Sequence, residues 1–177
     1  WQKSLNESNS DGLFLELGVF QGRSIKFFAK YKPEITFYGF DSFQGLQEDW
    51  AGTEDMKGHF NVKGKLPKGV PSNCKFIKGW INDTLSDFLN KKNIKVSFVH
   101  IDVDTYKSTV ECLNALKGFL KVGTVIIFDE YHGLPGWRNG EFKAWKEFYE
   151  KEGISFEYLA FSRWTASIQI KEMKSSI

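Results

Sequence analysis

Glu16-Leu-Gly-Val-Phe-Gln-Gly-Arg-Ser24 follows the apolar run Leu13-Phe-Leu15 and leads into a helical pattern from Ile25 to Tyr31. An apolar strand that turns through two glycines into a helix is how open α/β folds build a ligand site at a strand's carboxyl end. Here the glycines are spaced Gly-x-x-x-Gly, so the dinucleotide signature Gly-x-Gly-x-x-Gly is not matched. The loop also opens on an acid, Glu16. A carboxylate there repels a bound pyrophosphate and attracts a ligand that carries an ammonium or a sulfonium.

Working outward, Leu13 to Leu17 reads as a buried first strand and Arg23 to Tyr31 as a short helix ended by Pro33. Ile35 to Phe40 is β-branched and aromatic, a second strand that delivers Asp41 at its end. Asp41 follows Gly18 by roughly the 20 positions at which an acid meets an adenosine ribose in such folds. Residues 42–73 hold seven glycines and prolines and no sustained period, which predicts a long loop with a small hairpin around Phe60 to Leu66. A third strand runs from Lys75 to Lys78, and Asp83 and Thr84 are N-cap candidates for the helix carrying Leu85, Phe88 and Leu89. Val96 to Ile101 is a fourth strand, Thr105 to Leu120 a helix, and Thr124 to Phe128 a fifth strand. Strand and helix alternate to this point, which predicts an α/β fold, a Rossmann-like doubly wound sheet that is mostly parallel. The end differs: an amphipathic helix from Glu141 to Glu152 precedes strands at Ile154 to Phe161 and Trp164 to Ile170. Their turn at Ser162-Arg163 is so short that they must pair antiparallel.

With 177 residues, 41% of them hydrophobic and 26% charged, the chain reads as a single globular domain, residues 1–177. Aromatics at 16%, including 17 Phe, predict a core built largely of rings. The polar start, Trp1 to Gly12, has no signal-peptide apolar region, and no apolar run approaches a membrane span. Cys74 and Cys112 sit in apolar surroundings and read as buried reduced thiols. Together these features predict a cytoplasmic protein with no membrane partner. A net charge of +2 does not argue for nucleic acid. Between Met56 and Asn82, six lysines occur with no acid, either a solvated basic loop or a surface for an anionic partner.

Four of the five parallel strands end in acid: Glu16, Asp41, Asp102 and Asp129-Glu130. Asp104 has a simpler reading, as cap of the helix that begins near Thr105. A rim this negative is costly unless cations occupy it. A sulfonium- and ammonium-bearing ligand such as S-adenosylmethionine, with a divalent metal, accounts for the set, and all-oxygen donors suit Mg²⁺ rather than zinc.

Five blocks carry a family resemblance. They are Glu16 to Ser24, Gly39-Phe-Asp-Ser-Phe-Gln-Gly-Leu46, Gly79-Trp-Ile-Asn-Asp-Thr-Leu85, His100-Ile-Asp-Val-Asp-Thr-Tyr106 and Gly123-Thr-Val-Ile-Ile-Phe-Asp-Glu-Tyr131. With them the chain resembles a class I S-adenosylmethionine-dependent methyltransferase. It is most similar to the macrocin O-methyltransferase-like family, with likeness to the catechol O-methyltransferase branch. The resemblance implies strand order 3-2-1-4-5-7-6 and a transferase for a small-molecule hydroxyl acceptor. It implies a cofactor site of Glu16, Gly18, Phe20, Gly22, Ser24, Asp41, Ser42, Trp80, Ile81, Asn82 and Asp102, and a Mg²⁺ site of Asp102, Asp129 and Glu130. Two positions depart from the catechol branch: Glu130 stands where that branch has an amide, and Thr105 where it has its basic lysine. His132 is the nearest replacement base, with Lys107 behind it, and Asp102 completes the expected catalytic set.

The competing readings are a cofactor-binding domain without catalysis of its own, since relatives usually carry an extra N-terminal lid, and a Rossmann oxidoreductase, which Glu16 and the missing glycine signature disfavour. Methylation of nucleic acid lacks any Asn-Pro-Pro-Tyr-type motif. The acceptor's identity and any homo-oligomer stay open at the level of sequence.

Overall fold

Leu13–Leu17 (β1) is buried at every position, as an apolar run must be when helices cover both faces of a sheet. In the computed structural model, which describes residues 1–174, it is joined by Phe37–Asp41 (β2), Cys74–Lys78 (β3), Val96–Ile101 (β4), Val125–Phe128 (β5), Ile154–Phe161 (β6) and Ala166–Met173 (β7). They form one seven-stranded sheet of order β3-β2-β1-β4-β5-β7-β6. β1 to β5 run parallel, while β7 pairs antiparallel with both β5 and β6. The expected topology and the closing hairpin are both present.

The helices are Gln2–Glu7 (α1), Arg23–Tyr31 (α2), Ile81–Lys92 (α3), Tyr106–Leu116 (α4) and Glu141–Glu152 (α5), with a 3-10 turn at Trp137–Asn139. Because side chains alternate along a strand, Phe14, Phe37, Phe98 and Ile127 face one layer, where Leu5 of α1 and Ile25 and Phe28 of α2 pack on them. Leu15, Leu17, Val99, Ile101 and Phe128 face the other, against Leu89, Leu113, Leu116 and Trp145 from α3, α4 and α5. Rings fill the first layer, with Phe14 centred 5.4 Å from Phe37 and Phe28 5.3 Å from Phe98. Each such ring stabilises by about 1.5–3 kcal/mol through burial. Cys74 and Cys112 are buried and free, as expected. Among the described residues no helix is long and apolar enough to cross a membrane.

Several local expectations give way to chain-end chemistry. The polar start forms α1, held by fully buried Leu5 and by Ser4 Oγ donating to Ser167 Oγ at 2.7 Å. α3 begins two residues before Asp83, with Trp80 at its N-cap, and Thr84 Oγ1 donates back to the Trp80 carbonyl at 3.0 Å rather than capping. Thr105, not Asp104, caps α4, its Oγ1 accepting from the Ser108 N–H at 3.3 Å. β7 starts later than Trp164 and reaches Met173. No hairpin forms at Phe60 to Leu66. The 42–73 loop is tied internally instead: Leu46 N–H donates to His59 O at 2.9 Å, and Gly64 N–H to Phe43 O at 2.8 Å.

The glycine after β1 fixes how the sheet opens. Gly18 sits at φ +86°, and a Cβ there would fall inside the contact shell of the Asp102 carbonyl oxygen just past β4. Leu17 O accepts from the Asp102 N–H at 2.8 Å, so the two strand ends touch backbone to backbone. Gly18→Ala is therefore expected to destabilise the fold by about 2 kcal/mol or more, read as a lowered urea midpoint at unchanged slope.

Candidate active site

At the carboxyl ends of the parallel strands lies a cavity of about 670 Å³, within the range of small-molecule sites. Asp41, ending β2, sets its shape. Asp41 Oδ2 accepts from the N–H groups of Val19 and Phe20 at 2.8 and 2.7 Å, and Oδ1 from that of Phe43 at 2.6 Å. One carboxylate thus holds both the glycine loop and the start of the 42–73 loop, while each oxygen keeps lone-pair capacity for a ligand hydroxyl. The clamp supports strained backbone at Phe20 and Phe43, at φ +48° and +58°; Asp104, after β4, sits separately at φ +62°. Non-glycine residues in this region cluster at functional sites.

From beneath the cavity floor a chain of charged groups runs up to Asp129 on the wall. Glu16 and His100 are paired partners on β1 and β4, and neither is exposed to solvent. His100 Nδ1 lies 3.8 Å from Glu16 Oε1, and its Nε2 lies 3.5 Å from Asp129 Oδ1. Ser24 Oγ donates to Glu16 Oε1. Burial works against a charged imidazole, but Asp129 and Glu16 outweigh it and push the His100 pKa up to about 10. Burial raises Glu16 despite His100. At Asp129 burial is overcome by His100 and Thr165, and the carboxyl is lowered.

Asp102, Asp104 and Glu130 bring carboxylate oxygens within 4.8 Å of one another. Burial raises all three, and the neighbouring acids add to the effect, taking Asp104 to about 7. Glu130 Oε2 is buried with no hydrogen-bond partner. An all-oxygen cluster with an orphaned buried oxygen fits a hard divalent cation such as Mg²⁺.

The expected cofactor residues divide in two. Gly18, Phe20, Ser24, Asp41, Ser42, Trp80, Ile81 and Asp102 line the cavity. Glu16 lies fully buried below it, Gly22 packs at the N-cap of α2, and Asn82 points outward from α3. The expected metal ligands Asp102, Asp129 and Glu130 all line the cavity; Asp102 and Glu130 come together with Asp104, while Asp129 lies against His100 and accepts from Thr165 Oγ1 at 3.1 Å. His132 is not on the cavity wall; its Nε2 is buried and unpartnered, and its ring lies 5.6 Å from that of Phe161. The six lysines are also absent from the wall, and Lys78 Nζ donates to Gly64 O at 2.7 Å. Trp50 and Phe60 from the long loop, with Leu134 and Trp164, complete the cavity. Sequence reasoning missed Asp104 and His100, although both break an apolar pattern near the end of β4, where open sheets place ligands.

A methyltransferase-domain family model matches residues 15–131. No curated protein matches the chain in sequence. Among solved structures, the calicheamicin methyltransferase CalS11 superposes with a TM-score of 0.74 at 21% identity, over 95% of this chain and 74% of its own. The O-methyltransferase NovP gives 0.71 at 22% identity, over 97% and 78%. The methyltransferase MycE from the mycinamycin biosynthetic pathway, in complex with Mg and SAH, gives 0.58 at 16% identity, over 96% and 48%. Likenesses of this identity speak to the fold. The family match runs from β1 through β5 and takes in every strand end that faces the cavity, so the chain belongs to the methyltransferase-domain family and has the class I methyltransferase fold.

Proposed function

We propose that this methyltransferase transfers a methyl group from S-adenosylmethionine to the hydroxyl oxygen of a small molecule, with Mg²⁺ at the acid cluster. The observation that carries the reading is the convergence, in one cavity, of the Asp41-clamped glycine loop with Asp102, Asp104 and Glu130. Relatives of the same fold support it: CalS11 is a TDP-rhamnose 3′-O-methyltransferase, and MycE was solved with Mg and SAH.

Asp41 has the lone pairs to take ribose hydroxyls, Trp80 and Ile81 offer apolar surface to the adenine, and Ser24 and Asp102 stand where the methionine end would lie. When bound, S-adenosylmethionine supplies a methyl group on a sulfonium, and the reaction exchanges that C–S bond for a C–O bond with loss of the hydroxyl proton. Asp102, Asp104 and Glu130, with Asp129 beside them on the wall, would hold Mg²⁺, which would supply Lewis acidity toward the acceptor oxygen. With His132 off the wall, the proton acceptors that line the cavity are carboxylates. Phe20, Trp50, Phe60 and Trp164 would exclude water and hold the acceptor ring in line with the methyl group.

Calorimetry should show wild-type binding of S-adenosylhomocysteine, weakened at least about 10-fold by Asp41→Ala, which removes both a ligand contact and the clamp on the loop. No binding to the wild type would overturn the cofactor assignment. Activity on a panel of phenols and sugars should fall with EDTA and return with Mg²⁺. Glu130→Ala should lower it about 100-fold or more while sparing cofactor binding.

A further inference from the structure

Glu141 is a buried acid for which the mechanism has so far no use. It occupies the first position of α5, is wholly inaccessible to solvent, and pairs with no basic side chain among the described residues. A carboxylate in such a place is costly to keep. Its position at a helix N-terminus offsets part of that cost, and Gly140 before it has no side chain to cap the helix. Neither explains where the carboxylate is aimed. Glu141 Oε2 accepts from the backbone N–H of Glu130 at 3.0 Å, eleven residues away and across the turn that follows β5.

That turn carries two acids with different tasks. Asp129 is held from the β7 side, where Thr165 Oγ1 donates to its carbonyl oxygen at 3.2 Å and to its Oδ1 at 3.1 Å. Among the described residues Glu130 is held from the α5 side by Glu141, and its own Oε2, like Glu141 Oε1, is buried without a hydrogen-bond partner. α5 is a firm support, because Ala144, Trp145 and Phe148 sink into the core one turn further on. A carboxylate oxygen of Glu130 lies within 4.8 Å of oxygens of Asp102 and Asp104.

We infer that Glu141 is a positioning residue for cation binding: its carboxylate fixes the Glu130 backbone, and through it the orientation of Glu130 in the Asp102–Asp104–Glu130 cluster. The inference rests on reading that cluster as a divalent-cation site. The bond, rather than the charge, does the positioning, since an N–H needs only an oxygen acceptor in the same place. Partners that orient a ligand in this way are commonly worth a factor of 10–100 in metal affinity.

The test is Mn²⁺ binding, followed by the paramagnetic resonance signal of the free ion, with saturating S-adenosylhomocysteine. Glu141→Ala should weaken Mn²⁺ binding by about 10–100-fold and leave S-adenosylhomocysteine affinity within about threefold of wild type. Glu141→Gln, whose amide oxygen can still accept from Glu130, should stay within about threefold of wild type for both ligands. If Glu141→Ala does not unfold cooperatively, Glu141→Met, of similar length and without an acceptor, carries the same comparison. Mn²⁺ affinity unchanged in the variants without an acceptor overturns the inference. So does an equal loss in Glu141→Gln, which would make charge the cause. A wild-type protein that binds S-adenosylhomocysteine but no Mn²⁺ overturns the cation reading of the cluster, and this inference with it.

Discussion

The His100 imidazole, closed between Glu16 and Asp129, is the constraint on which the site's arrangement depends. Three neighbouring parallel strands end there, and each contributes one charged side chain to the same small volume. Left alone, the buried Glu16 carboxylate and the partly exposed one of Asp129 would repel each other within an acidic rim. His100 between them, its pKa pushed up to about 10 by the two acids, offsets that repulsion across β1, β4 and β5. Removing one partner from such a buried set costs about 3–5 kcal/mol, because the remaining charges lose their compensation. The pair also explains why the glycine loop starts where it does. Glu16 must face the sheet interior to reach His100, and the chain can turn away only at Gly18.

The loop after β2 is as much a part of the site as the strands. Asp41 reaches across the sheet edge to hold Val19 and Phe20, and holds Phe43 on its own side. Hydrogen bonds to a carboxylate are among the stronger ones, about 1.5–3 kcal/mol each, enough to offset the positive φ of Phe20 and Phe43. The strain is therefore supported by the acid proposed to bind the ribose. Loop shape and ligand binding are thus coupled through one side chain.

How much of this was legible in the sequence follows from the range of each interaction. β1, α2, β4 and α5 were readable because their boundaries rest on local pattern, an apolar run or a helical stripe closed by a glycine or a proline. The strand order came with the resemblance, since nothing local fixes which parallel strands lie side by side. Helix starts were misjudged where a side chain with capping chemistry found another use: Thr84 bonds backward to Trp80, and Asp104 turns into the cavity at positive φ, leaving the cap to Thr105. The approach of Asp104 to Asp102 and Glu130 has the same origin. Asp129 follows β5 directly, but only the register of β4 against β5 shows that His100 lies within its reach. α1 was hidden because only two buried residues hold it, Leu5 and Ser4, the latter through Ser167 far along the chain.

The cavity's two halves are built from different material. The half proposed for the cofactor is made by strand ends and by the loops that Asp41 clamps to them, so it inherits the rigidity of the sheet. The other half is walled by Trp50, Leu134 and Trp164, and the first two come from separate loops that approach each other at Ala51, Gly52, Pro135 and Gly136. That meeting leaves no space for a side chain. A Cβ on Gly52 would lie 2.6 Å from Pro135 O, and one on Gly136 3.1 Å from Ala51 O, while both glycines have positive φ. A glycine–glycine approach, rather than regular structure, thus brings together the loops that carry Trp50 and Leu134. Small changes in either loop would resize the acceptor side without disturbing the sheet. This is the physical reason that the same chain announces its cofactor half in five sequence blocks and is silent about the molecule that receives the methyl group.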